Sequence, residues 1–259
     1  MAVGVLGSLA LLLGGGRGEV RDGTPNGRST DRATGESTAA SASRETVRTA
    51  PTATAATGAA PTSTPAVEVP SRGSGGFVTA HASGAKVGLG SRPLRYVVEV
   101  ETGLDVSPAQ AAHEIEGILG APRGWTHDRS RAFQLVSQGQ AHDLKVVIAT
   151  PATADALCWA GGRLDTEGEY NCEIKSGVVV NLKRWVQGSP MFDGPIHDYR
   201  ALIINHEMGH FLGFGHMTCP GPGRPAPVMM QQIKGLHGCV ANAWPYDSSG
   251  HLVSGPPAP

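Results

Sequence analysis

The sequence predicts an α+β domain built on a mixed, twisted sheet and preceded by a long polar segment. The candidate elements follow the order strand, helix, strands, helix, without an internal repeat. Aromatic residues are 5% of the 259 residues, and all of them lie from Phe77 onward. Since aromatic side chains dominate protein cores, we expect the folded domain within the last 180 or so residues, a length sufficient for one core.

The first predicted strand spans residues 94–101. Apolar and charged side chains alternate there, which is typical of a strand with one buried face. The apolar face carries Tyr96, Val98 and Val100. Glu99 and Glu101 fall on the other face, and we expect them at a solvated edge.

A helix is predicted next, from Ser107 to Gly120. Ser107 is a candidate N-cap, Pro108 suits the first turn and Gln110 suits a capping interaction. Four further strands are then expected as two pairs, 133–136 with 144–150 and 170–174 with 178–182, each pair joined by a polar turn. A second helix is predicted from Asp198 to about Leu212.

The N-terminal region has the composition of an export signal and a tether. Residues 1–16 predict a signal peptide or a signal anchor, because the first thirteen residues are apolar for about the length of a signal-peptide core. Residues 17–75, rich in Thr, Ala, Ser and Pro, predict a disordered linker, which leaves 76–259 as the domain. We therefore expect an extracellular location or the outer face of the membrane, with the N-terminal segment as a membrane tether.

The overall charge argues against a nucleic-acid partner. Lys and Arg total 21 against 22 Asp and Glu, a formal net charge of −1, so the chain has no strong field to attract nucleic acid. We expect a monomer whose partner is a peptide or protein substrate.

The main functional motif lies on the second predicted helix. It reads His-Glu-Met-Gly-His-Phe-Leu-Gly-Phe-Gly-His over residues 206–216. His206 and His210 are one helical turn apart and share a face with Glu207. Gly213 can adopt a left-handed backbone that turns the chain and returns His216 to the same point. Three neutral imidazoles with an open fourth position predict one catalytic Zn²⁺ ion.

At these residues the sequence resembles the metzincin clan of zinc metallopeptidases, whose signature H-E-x-x-H-x-x-G-x-x-H is followed by a methionine turn. It also resembles an uncharacterised family of secreted actinobacterial proteins assigned to that group. The resemblance implies a metzincin-like zincin domain with His206, His210 and His216 as zinc ligands. It implies Glu207 as the general base and Met229 as the methionine beneath the metal, with Met230 as the alternative.

The resemblance has two departures. The segment between His216 and Met229 is long and rich in Gly and Pro. Gln231 stands where some members have a tyrosine that assists the metal, and Tyr246 is an alternative source of that group. Partners for the second ring nitrogens of the histidines are left open among Asn205, Asp193 and backbone carbonyls.

Four cysteines in an exported chain predict two disulfides. Of the three possible pairings we favour Cys158–Cys172 and Cys219–Cys239, since the second would staple the loop that carries the methionine turn. The alternative for Cys219 is zinc ligation.

The motif favours a peptidase that uses zinc-activated water. Two other functions remain open at this point. One is a zinc-stabilised cell-envelope binding module without turnover, and the other is a metal-dependent cell-wall amidase. Glu207 distinguishes the first of these from an enzyme, because a purely structural site gains nothing from a carboxylate beside an open coordination position.

Overall fold

A computed structural model describes residues 67–259. The predicted signal peptide or anchor, 1–16, and most of the predicted linker, 17–66, lie outside the described residues. Seven strands and four α-helices make up the described part. In chain order they are β1 (Phe77–Thr79), β2 (Val87–Gly88), β3 (Leu94–Glu101), α1 (Pro108–Gly120), β4 (Ala132–Leu135), β5 (Leu144–Ala149), α2 (Pro151–Gly162), β6 (Cys172–Ile174), β7 (Gly177–Asn181), α3 (Leu182–Gln187) and α4 (Ile196–Phe211). A short 3-10 helix, Gln232–Lys234, comes last.

The strands form one mixed sheet in the order β2-β4-β3-β5-β7-β6, with β1 also paired to β3. Strands β4, β3, β5 and β7 are parallel, whereas β1, β2 and β6 are antiparallel to their neighbours. The predicted α+β class with a mixed sheet is confirmed. Strand β6 lies at an edge of the sheet, next to the helix that carries the histidine motif.

The main core lies between the sheet and helices α1, α3 and α4. Helix α2 packs on the opposite face, where Ala154 and Cys158 contact Val147, Cys172 and Val179. Because both faces are covered, β5 and β7 carry apolar side chains toward both faces, as is usual for parallel strands connected by helices.

The prediction of a half-buried β3 with solvated glutamates is wrong for Glu101. Glu101 is only 1% exposed. Its carboxylate accepts hydrogen bonds from the backbone N–H groups of Gly75 and Thr150 at 2.7 and 2.8 Å, and from the hydroxyls of Thr150 and Thr153 at 2.9 and 2.8 Å. The N-terminal turn of α2 covers this end of β3, which the alternating pattern alone could not reveal.

Helix α2 was not predicted, and the expected pairing of β4 with β5 is wrong. Both strands pair with β3, one on each side and both parallel to it. Parallel neighbours require crossover connections, which α1 provides between β3 and β4 and α2 provides between β5 and β7. The predicted pair of β6 with β7 is confirmed.

The described end of the predicted linker is part of the folded domain. The Ser71 carbonyl accepts a hydrogen bond from the Ala152 N–H at 3.0 Å, and the Val67 carbonyl accepts one from Gln187 Nε2 at 2.8 Å. Val69 packs against the main core. Residues in the segment 67–75, assigned to the linker from the sequence, therefore contact the domain.

Both favoured disulfides are present, Cys158–Cys172 and Cys219–Cys239. The first joins α2 to β6, and the second closes the loop that carries Met229 and Met230. Cys219 is therefore not free to ligate a metal through a thiolate. Within residues 67–259, the helices are too short or too polar to cross a membrane.

Candidate metal centre

Helix α4 and the turn that follows it bring the three motif histidines together. His206 and His210 are one turn apart on α4, which ends at Phe211. Gly213 has a φ of +92°, the left-handed conformation expected of it, and its N–H donates to the His210 carbonyl at 2.8 Å. This reversal returns His216 to the ligand face of the helix.

The ligand atoms of the three histidines all lie within 4.8 Å of one another. His210 Nε2 is 3.2 Å from His206 Nε2 and 3.0 Å from His216 Nε2. Nitrogens about 2.0–2.1 Å from a tetrahedral zinc would be about 3.3 Å apart, so the spacing suits one shared ion.

Two backbone carbonyls determine which ring nitrogens face the centre. His206 Nδ1 donates to the Val228 carbonyl at 2.7 Å, and His210 Nδ1 donates to the Phe214 carbonyl at 2.9 Å. In neutral rings this leaves both Nε2 atoms as unprotonated acceptors facing each other. Since neither can donate a proton to the other, a shared cation is the natural partner, and this donor set therefore fits a metal ion.

Burial also favours the neutral, metal-binding form of these rings. Burial lowers the pKa of His206 to about 3, and the neighbouring His210 contributes to the shift. Burial likewise lowers the pKa of His216, with additional effects of His210 and Lys234. Neutral imidazole is the form that ligates metals.

Glu207 lies beside the three histidines and is 6% exposed. Burial raises the pKa of Glu207 to about 8, and the carboxylate of Glu173 adds to this rise. A cation at the histidine centre would favour the ionised carboxylate and so oppose the shift.

Met229 lies against the helix that carries the ligands. A Cβ atom added at Gly209, between the first two histidines, would overlap Met229 Sδ. Met229 is 1% exposed in the main core, whereas Met230 packs with Ala226 and the Cys219–Cys239 disulfide. The position of Met229 agrees with the preference for it as the methionine beneath the metal, a role that stays a prediction.

The three histidines and Glu207 line an open cleft of about 370 Å³. One wall is formed by residues 170–173, which include Cys172 and Glu173 of the edge strand β6, and another by residues 230–234. Lys234 Nζ lies 5.2 Å from the centre of the Tyr170 ring, so the two walls are in contact. The free edge of β6 borders this cleft beside the three histidines.

The sequence predicted the strand that carries Glu173 but did not identify the Glu173 side chain as part of this site. Cys172 and Ile174 face α2, so Glu173, between them on β6, faces the cleft and α4. The alternation along β6 could have revealed this orientation, but only once the strand was known to border the histidine helix.

Other candidates lie elsewhere. Asn205 and Asp193 were candidate partners for the second ring nitrogens of the histidines. Asn205 donates its side-chain N–H to the Ala243 carbonyl instead, and Asp193 is exposed. Backbone carbonyls are the partners of His206 and His210. Tyr246 packs against His127, with ring centroids 4.5 Å apart, and does not line the cleft. Tyr170 and Tyr199 are the tyrosines that line it.

The fold and the site together define a mixed α+β domain with a three-histidine cluster at the floor of an open cleft. Residues 63–247 match the family described as "Protein of unknown function (DUF3152)", and the chain belongs to this family. No curated protein and no solved structure matches the chain.

Proposed function

We propose that this protein is a zinc-dependent peptidase with a metzincin-like zincin domain, secreted or tethered at the cell surface. The observation that carries the proposal is the convergence of three histidine Nε2 atoms beside Glu207 in an open cleft. Among residues 67–259, the donor group has three members: His206, His210 and His216. Three protein ligands leave a position for water or substrate, which is typical of catalytic rather than structural zinc sites.

The chemistry follows from the charge of the ion and the position of one carboxylate. His206, His210 and His216 would hold the zinc as neutral imidazoles, and the ion would lower the pKa of a bound water and polarise a substrate carbonyl. Glu207 lines the same cleft next to His206. In the proposed reaction, its carboxylate accepts a proton from the attacking water and delivers that proton to the departing amine nitrogen.

The substrate is proposed to lie extended along β6 and the preceding residues, over Tyr170–Ile174. Within residues 67–259, strand β6 pairs only with β7, at the edge of the sheet, and it lines the cleft. An extended peptide could therefore add to this edge by main-chain hydrogen bonds and cross the histidine centre. The two disulfides support an oxidising, extracytoplasmic compartment.

The proposal is tested by replacing the general base. We expect the full chain loaded with zinc to cleave members of a diverse peptide library that also includes cell-wall peptides. Glu207→Gln should lower kcat by about 10²–10⁴-fold while zinc content is unchanged, because it removes proton transfer and leaves the ligands intact. Glu167→Gln, which changes an exposed carboxylate at the same cleft, is the matched control and should cleave at close to the wild-type rate.

The outcomes separate the alternatives. Equal cleavage by wild type and Glu207→Gln would exclude the catalytic assignment. Zinc binding without cleavage of any library member would favour the zinc-stabilised binding module. Cleavage confined to cell-wall peptides would favour the amidase.

A further inference from the structure

Trp125 packs directly behind the helix that carries the candidate metal ligands. It lies in the loop after α1 and is 1% exposed. Its indole Nε1–H donates a hydrogen bond of 2.8 Å to the backbone carbonyl of Asn205, the residue before His206. That carbonyl is also the α-helical acceptor for the N–H of Gly209, so the indole is fixed to the turn between His206 and His210.

The Trp125 ring also contacts the residue that orients His210. It stacks on Phe214, with ring centroids 4.6 Å apart and an interplanar angle of 24°. The Phe214 carbonyl accepts the hydrogen bond from His210 Nδ1 at 2.9 Å. A displacement of Trp125 would therefore be transmitted to the group that sets the orientation of the His210 ring.

The space between Trp125 and the helix has no room for adjustment. A Cβ at Gly209 would lie 2.9 Å from Trp125 Cζ2 and would overlap Met229 Sδ on the other side. Arg131 covers both rings from outside, with its guanidinium carbon 5.9 Å from the Trp125 centroid and 5.3 Å from that of Phe214. The indole is thus packed between the helical turn of His206 and His210 on one side and the Phe214 ring and Arg131 guanidinium on the others.

We infer that Trp125 is a positioning residue for a divalent cation held by His206, His210 and His216. It acts through the Asn205 carbonyl and through Phe214, and it does not line the cleft, so it contacts neither substrate nor metal. The inference rests on the metal binding of the proposed function. It adds a residue 80 positions upstream of Asn205 that no motif identifies.

The matched control for Trp125 is Trp185. Trp185 is 3% exposed in the same core and contacts α4 through Arg200, whose guanidinium packs over its ring at 4.7 Å and whose Nε donates to its carbonyl. Trp125→Phe and Trp185→Phe are the same change of ring size and loss of an indole N–H. Only Trp125→Phe removes a hydrogen bond to the helical turn that carries His206 and His210.

The test measures zinc affinity by chelator competition, and the absorption of the cobalt-substituted full chain, for wild type and both variants. Thermal unfolding of the metal-free forms reports the purely structural cost. We expect Trp125→Phe to weaken zinc binding by about 10- to 100-fold, as is usual when support of a ligand is lost, and to shift the cobalt spectrum. Trp185→Phe should stay within about threefold of wild type even where its unfolding temperature falls equally.

Phe214→Leu, which removes the stacking partner and keeps the carbonyl, provides a second variant should Trp125→Phe not fold. It should also weaken zinc binding, by several-fold. Affinities of Trp125→Phe or Phe214→Leu equal to wild type, or an equal loss in Trp185→Phe, would overturn the positioning role. A wild-type chain that binds no zinc would instead overturn the proposed function together with this inference.

Discussion

At the scale of single residues, Glu101 shows how a buried charge joins separate parts of the chain. Its carboxylate links the segment before β1, through Gly75, to the first turn of α2, through Thr150 and Thr153. Burial alone would raise the pKa of Glu101, but these hydrogen bonds outweigh burial and lower it.

Glu101→Gln should lower the free energy of unfolding by about 2–3 kcal/mol at pH 7. The amide NH₂ group of glutamine would face backbone N–H and hydroxyl groups that themselves donate hydrogen bonds, so some of these bonds would be lost. A carboxyl with a lowered folded pKa contributes stability above its ordinary pKa of about 4, and this contribution is lost as the pH falls through the folded value. The difference between wild type and variant should therefore shrink as the pH falls from about 5 toward 3.

Denaturant unfolding at several pH values checks this prediction. Glu99→Gln is the control. It alters a carboxylate on the same strand that pairs with Lys145 at 2.8 Å near the surface, and it should cost about 1 kcal/mol or less. A difference for Glu101→Gln that is constant or grows toward acid pH would contradict the role given to the ionised carboxylate.

The motif residues could be predicted from the sequence, and their support could not. The spacing of His206 and His210 fixes a common face on any helix, and Gly213 supplies the turn that returns His216. Trp125 and Glu173 reach the site only through tertiary packing with α4. No local pattern identifies such contacts, because they join residues far apart in the chain.

At the scale of elements, β6 is the edge strand that lines the cleft, where the proposed substrate would lie. It forms a hairpin with β7 across Lys175 and Ser176, and Ile174 pairs with Gly177 next to this two-residue turn. The pair that flanks such a turn is hydrogen-bonded, and hydrogen-bonded pairs alternate with open pairs along antiparallel strands. The backbone N–H and carbonyl of Glu173 should therefore point to the free edge.

Glu173→Pro removes that N–H at an edge position where proline is tolerated. We predict a fall in kcat/KM of about tenfold for extended peptides, equivalent to one hydrogen bond, with zinc content unchanged. Glu173→Gln keeps the N–H and should lose less. The measurement is steady-state kcat/KM for peptide cleavage by the two variants. An unchanged kcat/KM in Glu173→Pro would exclude strand addition at this position.

Elements were predicted best where a local signal was strong. The cap of α1 is such a case, since Ser107 Oγ accepts from the Gln110 N–H at 3.3 Å as the sequence predicts. Helix α2 escaped prediction because its small alanine and glycine residues bury only Ala154 and Cys158, which leaves little helical periodicity. Tertiary packing on the second face of the sheet stabilises it instead.

At the scale of the whole molecule, the α+β class followed from the order of elements, but the sheet topology did not. The predicted strands 133–136 and 144–150 are joined by a short polar connection typical of a hairpin. In the fold, the two strands lie on opposite sides of β3 and both are parallel to it. Which strand lies next to which depends on how α1 and α2 pack over the sheet, and alternation within a strand carries no such information.

The same long-range packing brings residues 67–75 onto the domain. The composition of residues 67–75 resembles that of the linker before them, so the sequence placed the boundary at 76. The hydrogen bonds made by Ser71 and Gly75 are to α2 and β3, and these partners come into place only when the domain folds. Backbone groups, rather than apolar side chains, thus anchor much of this segment.

The central claim is that three imidazoles hold one divalent ion and leave a position free for solvent. The most direct measurement is zinc stoichiometry and X-ray absorption of the full chain, compared with His216→Ala and with His197→Ala, a control at an exposed histidine of α4. We predict one zinc per chain with three nitrogen ligands and one light-atom ligand. His216→Ala should weaken binding by about 100-fold or more, and His197→Ala should have no effect. Absence of zinc binding, a fourth protein ligand, or undiminished affinity in His216→Ala would contradict the claim.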